Sequence, residues 1–200
     1  MFLMRVFSLF RRENLNLKSA FARSGAFEFG RKFKFCICMK GLIVLNMSIR
    51  LKPLIVNLLI ALGVGALSGF LTMGAMEDYK AVEKPMLSPP EMVFPVVWSI
   101  LYILMAVSAY LVYVSDSPRK RAAIITYGVQ LALNFFWPIV FFVGGAYLAA
   151  FFVLCALLIT VIVMTVLFFS VRNAAGFLQI PYILWLLFAG YLNFGVYLLN

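Results

Sequence analysis

Histidine is absent from this chain of 200 residues, and acidic residues number only seven. Without imidazole the chain lacks the usual general base, the commonest metal ligand and the usual axial ligand of haem iron. Charged residues make up 12% of the sequence and hydrophobic ones 65%, whereas a soluble domain is roughly 25% charged and about 45–50% apolar. Too few polar groups remain to cover a globule, so the bilayer is the expected solvent. The three cysteines, Cys36, Cys38 and Cys155, have the spacing of neither a disulfide framework nor a metal site.

Long apolar runs are what the chain has instead. Five of them, residues 54–73, 92–114, 122–143, 146–171 and 177–199, each reach the length of about 20 helical residues that crosses a hydrocarbon core. The expected fold is an all-α integral membrane protein, a bundle of five transmembrane helices that satisfies its backbone groups internally. None of these runs contains Asp, Glu, Lys or Arg. Pumps and ion-coupled transporters keep ionisable groups inside the membrane, so coupled transport is disfavoured. Neither a catalytic triad nor a pair of carboxylates can be assembled in such a core.

Most connections are short. The exception is a polar loop over residues 74–91, in which Pro85, Pro89 and Pro90 disfavour continuous helix. Pro95 and Pro181 fall in first turns, where a missing N–H costs little, and Pro138 is expected to kink the third helix. Lys and Arg cluster at one end of the bundle (Arg50, Lys52, Arg119, Lys120, Arg121, Arg172). This bias places the N-terminal side inside, with the Pro-rich loop and Asn200 outside.

Two segments follow from composition. Residues 1–46 hold nine basic and two acidic residues, and residues 47–200 carry the five-helix domain. The basic segment reads as a targeting sequence, as a membrane-surface segment, or as an extension upstream of a start at Met47, the last being preferred. Its basic residues stop where the spans begin, which speaks against a nucleic-acid partner.

Within the spans the polar inventory is aromatic and amide: Trp98, Tyr102, Trp137, Tyr182 and Trp185, with Gln130, Asn134 and Asn193. Amides in hydrocarbon seek partners and should face the interior. They can serve as helix glue, or as polar fixings in an apolar ligand cavity whose aromatic walls stack on a flat ring. Trp98 and Tyr102 share a helical face. Strict alternation of the spans puts Trp98 near the outer end, and Tyr182 and Trp185 near the inner one. Gly65-x-x-x-Gly69 and Gly128-x-x-x-Ala132 mark small-residue faces, the second a candidate surface for helix packing or dimerisation.

Read in order, Lys84-Pro85, Pro89-Pro90, Trp98, Leu101-Tyr102, Gln130 to Asn134, Trp137-Pro138, Phe141-Phe142, Pro181-Tyr182, Trp185 and Leu192-Asn193 resemble the TspO/MBR family, the tryptophan-rich sensory or translocator proteins. The resemblance covers about residues 47–200. It implies a receptor- or translocator-type membrane protein, often a homodimer, with a cavity between the helices under the first loop. The ligand would be a porphyrin or another lipophilic molecule, held for sensing, sequestration or transport. The matching cavity positions are Trp98, Tyr102, Asn134, Trp137, Trp185 and Ala189, covered by Lys84, Pro85, Pro89 and Pro90. On this view Trp98 and Trp185 share one cavity, against the depth reading. No cofactor is required, and a bound tetrapyrrole would be a free base or loosely held. The resemblance also admits a light-dependent porphyrin-degrading enzyme using Trp98 and Trp185, and a non-catalytic membrane scaffold is a third reading. The family pattern has tryptophan where this chain has Leu87 and Met92, so two aromatic walls are lost. Tyr197 is followed by Leu198-Leu199-Asn200 without the basic residue of a sterol-recognition pattern. The membrane expected is a bacterial cell membrane, or an organelle membrane in a eukaryote.

Overall fold

The computed structural model describes residues 50–200; the expectations for residues 1–46 lie outside them. Five helical spans cross the molecule, Leu51–Ala75, Val93–Tyr113, Lys120–Val143, Tyr147–Val171 and Asn173–Leu199. Their lengths of 21 to 27 residues correspond to about 32–40 Å at 1.5 Å per residue, enough for a tilted crossing. They are built from α1 (Leu51–Thr72, continued by a 3₁₀ turn to Ala75), α3 (Val93–Tyr113), α4 (Lys120–Pro138), α5 (Tyr147–Val171), and α6 (Asn173–Phe177) followed by α7 (Ile180–Leu199). A short helix, α2 (Met76–Lys80), precedes the Pro-rich loop.

The boundaries differ from the apolar runs in instructive ways. Helix extends past the apolar stretch to take in Lys52 at one end and Lys120 and Arg121 at another, because long basic side chains can carry their charge out to the interface. The polar loop is shorter than expected: residues 74–80 are helical and the irregular chain is confined to residues 81–92, where the prolines lie. Pro138 does not end the third span. The chain instead widens into a π-helical turn over Ile139–Val143, closed by the Gly144 N–H donating to the Ile139 carbonyl at 2.9 Å. This is a common way to absorb a proline and the distorted ladder around it. Gly145 then turns the chain at φ 58°, a conformation that a side chain disfavours.

Helix packing is uneven. α5 packs against α4, α6 and α7, while α1 lies against α3 and α4. α1 buries only Ala61, Ser68 and Thr72, and its larger side chains (Leu59, Leu67 and Phe70 among them) are exposed. Such a face meets lipid without penalty. The Ser68 hydroxyl donates to the Phe135 carbonyl of α4 at 3.2 Å. Gly65 seats the ring of Tyr102: a Cβ there would collide with the edge of that ring. The first small-residue motif is therefore a ring seat at Gly65, whereas a Cβ on Gly69 would touch nothing within 4 Å.

The Pro-rich loop is fastened to the far end of α7. The Glu83 N–H donates to Asn200 Oδ1 at 3.2 Å, and Asn200 Nδ2 donates back to the Glu83 carbonyl at 3.1 Å. Pro85 lies on Gly195, where a Cβ would sit 2.8 Å from the proline Cγ. A proline ring cannot swing aside as a flexible side chain would. Replacing Gly195 by valine should therefore lift the loop off α7, seen as faster amide exchange over residues 81–91 with the exchange of α5 unchanged.

Candidate functional site

Helix α7 packs closely against α5 but stands further from α3 and α4, which it meets through side chains. The space between these three helices is filled by aromatic rings. Trp98 of α3 lies 5.9 Å, centroid to centroid, from Tyr102, 6.3 Å from Trp137 of α4 and 6.2 Å from Tyr182 of α7. Trp137 continues the cluster to Phe141 at 5.5 Å, the two rings stacked at 28°. These spacings lie in the range in which aromatic pairs attract beyond simple burial.

Polar groups thread the same region. Asn134 Nδ2 donates to the Tyr182 hydroxyl at 2.9 Å, and that hydroxyl donates onward to Gln130 Oε1 at 3.1 Å. The Trp137 indole N–H donates to Asn193 Oδ1 at 3.1 Å, and Asn193 Nδ2 donates to the Tyr147 carbonyl at 2.8 Å. All three amides are almost fully buried. Two donors stay unpaired, the Gln130 Nε2 and the Trp185 indole N–H, both buried. A buried donor without a partner is costly to leave unmade, so this region can offer hydrogen bonds to a carbonyl or a carboxylate.

The predicted site residues fall into three groups. Trp98, Tyr102, Asn134 and Trp137 come together in the ring cluster. Trp185 stands in a neighbouring aromatic group: among the described residues its ring partners are Phe94 at 6.0 Å and Phe188 at 5.5 Å, not Trp98. Ala189 is buried one turn further along α7. The depth argument from strict alternation fails here. The fifth span begins at Asn173, so Tyr182 stands nine residues into it. That is about 14 Å, nearly half the hydrocarbon thickness, and from there the ring reaches Trp98 at 6.2 Å.

Lys84 and the prolines lie in the loop at this end of the bundle. Lys84 Nζ lies 3.7 Å from Glu91 Oε1 and 4.8 Å above the Tyr79 ring. Tyr79 in turn packs edge-on against Phe141 and Phe142. Burial first, and then Tyr147 and Glu91, hold the Tyr79 phenol above its ordinary range, so it stays neutral. Pro85 and Pro89 are half-buried and Pro90 is exposed. Leu87 and Met92, the positions lacking the family tryptophans, are exposed. Gly128 and Ala132 are also exposed, and a Cβ on Gly128 would meet nothing within 4 Å. Among the described residues they make no close helix pair.

Sequence reasoning missed Phe94, Tyr79 and Gly195 as parts of this end of the bundle. A phenylalanine in a membrane helix carries no signal of its own. Gly195 is legible only once Pro85 is seen resting on it. Replacing Tyr182 by phenylalanine removes both hydroxyl bonds and strands Asn134 and Gln130. It should lower unfolding stability by about 1–2 kcal/mol, measured in mild detergent against the wild type.

A model of the TspO/MBR family matches residues 56–199. Over 148 residues the chain is 35% identical to the Tryptophan-rich protein TspO of Archaeoglobus fulgidus, covering 74% of this chain and 96% of that protein. It is 36% identical over 138 residues to Protein CrtK of Rhodobacter capsulatus, covering 68% of this chain and 85% of that protein. Identity to the human Translocator protein is 33% over 135 residues, covering 65% of this chain and 79% of that protein. With five membrane-spanning helices and this match over most of its length, the chain belongs to the TspO/MBR family of multi-pass integral membrane proteins.

Proposed function

We propose that this protein binds a planar, lipophilic tetrapyrrole in the space between α3, α4 and α7, as a receptor- or translocator-type protein of its family. The observation that carries the reading is the position of Trp98. Its ring is in contact with Tyr102, Trp137 and Tyr182 at once, in a region where α7 approaches its neighbours through side chains. Parting those rings would open a slot with aromatic faces and no need to break backbone packing.

Selectivity in such a slot comes from stacking and hydrogen bonding more than from burial. A porphyrin outside the slot already sits in hydrocarbon, and lipid tails are as apolar as leucine. Apolar contact alone therefore gains little. Stacking adds about 0.5–1.5 kcal/mol per aromatic pair. The unpaired Gln130 and Trp185 donors suit the propionate or carbonyl groups at a tetrapyrrole's edge. The loop fastened by Asn200 and Gly195 would cover the slot, with Lys84 at its rim as a cation for the same acidic groups. Trp185, beside Phe94, lines the approach instead of sharing a face with Trp98. A dimer through the open Gly128–Ala132 face is compatible with this reading and does not enter it.

Protoporphyrin titrated into the full chain in nanodiscs should quench tryptophan fluorescence saturably, with affinity reduced about two- to five-fold in Trp98→Phe, whose smaller ring keeps only part of the stacking. Non-saturable quenching, or equal affinity in the variant, would move the ligand elsewhere. The same samples under illumination test for degradation. A product spectrum that disappears in Trp98→Phe or Trp185→Phe would make the protein an enzyme; bleaching that is equal in all three would exclude that role.

A further inference from the structure

A cleft of about 670 Å³ opens at the other, basic end of the bundle, between the start of α1, the end of α3 and the first half of α4. Its mouth carries Arg50 and Lys52; its deeper walls are Val56, Ile60, Ile124 and Leu131. A second, shallower cleft adjoins it, sharing Tyr113 and Ile124 and adding Lys120 and Arg121. Neither lining includes a carboxylate. From Ile124 to Leu131 the cleft runs seven residues along α4, about 10 Å, or a third of a hydrocarbon core. One end thus suits an anion and the rest suits hydrocarbon.

Two details make this more than a surface groove. Tyr127 lines the cleft and is only 5% exposed, yet among the described residues its hydroxyl has no hydrogen-bond partner. A buried phenolic hydroxyl ordinarily finds an acceptor. The mouth is also held in place: the Arg50 N–H donates to the Tyr110 hydroxyl of α3 at 3.0 Å, and Lys120 Nζ sits 4.8 Å above the Tyr113 ring. Gly128 supplies the missing wall, since its absent side chain leaves open space.

We infer that this cleft is a binding site for one anionic phospholipid, with its phosphate at Arg50 and Lys52 and an acyl chain along Ile60, Ile124 and Leu131. A guanidinium can take a phosphate through two hydrogen bonds. An ester oxygen below the phosphate would be the acceptor that the Tyr127 hydroxyl lacks, reached once that buried hydroxyl turns toward the cleft. Phospholipids present acceptors at this depth, and a water-soluble anion does not fill the apolar half. The site is separate from the ring cluster and does not depend on a tetrapyrrole binding there.

Native mass spectrometry of the full chain tests it, after equilibration with equal amounts of phosphatidylglycerol and phosphatidylcholine. The wild type should keep one phosphatidylglycerol in preference to phosphatidylcholine, by a factor on the order of ten. Arg50→Ala with Lys52→Ala should bring the two lipids to parity. Gly128→Leu should do the same by filling the cleft without changing charge, and Tyr127→Phe should shorten retention. Arg172→Ala, a basic residue at the same end but outside the cleft, should keep the preference. Equal retention of both lipids by the wild type would overturn the assignment. So would a preference that survives both the double variant and Gly128→Leu. Displacement of the adduct by glycerol 3-phosphate would indicate a free-phosphate site and overturn it too, as would a lipid-free dimer that Gly128→Leu converts to monomer.

Discussion

The Tyr182 hydroxyl, accepting from Asn134 and donating to Gln130, is the joint on which this bundle turns. In a bilayer, helices gain little from hiding apolar side chains from one another, so polar bonds and close packing decide how they associate. α7 is close-packed against α5 but meets α4 through this joint and through the Trp137–Asn193–Tyr147 chain. Each polar group demands its partner at one depth, so the helices cannot slide past each other. The ring cluster inherits that fixed register.

The same arrangement explains why the site is made of aromatics. Where two helices stand apart, something must fill the gap, and only large side chains reach across. Trp98, Trp137 and Tyr182 do so, with Tyr102 behind them on Gly65. Rings are stiff, have few torsions and can tilt together. A gap filled this way keeps its shape yet can be reopened, which a gap filled by leucines would do less cleanly. The loop runs directly into α3 and is also tied to α7 through Asn200, so the cover bridges the two walls that carry Trp98 and Tyr182.

Much of this was legible in the residues. Length and composition fixed the five spans, because a bilayer allows few alternatives to helix. The ordered set of tryptophans, prolines and amides pointed to one family and to one region of the bundle. The ends of helices were less legible: hydropathy marks where apolar residues stop, whereas Lys52, Lys120 and Arg121 remain helical beyond that point. The level of Trp98 relative to Tyr182 was misjudged for this reason, since α6 begins four residues before the apolar run was expected to start. The π turn after Pro138 could be anticipated only as a kink. The basic cleft was invisible in sequence, for it depends on three chain segments meeting and on an empty volume beside Gly128.

Tyr102 resting on Gly65 has a mechanical meaning. The separation of α1 and α3 at that level equals the thickness of one aromatic ring, with no flexible side chain between to take up slack. Among the described residues α1 is also the membrane-spanning helix that buries the smallest share of its length, and most of its large side chains face outward. Rotation of the Tyr102 ring would therefore act as a cam, pushing α1 as a whole away from α3.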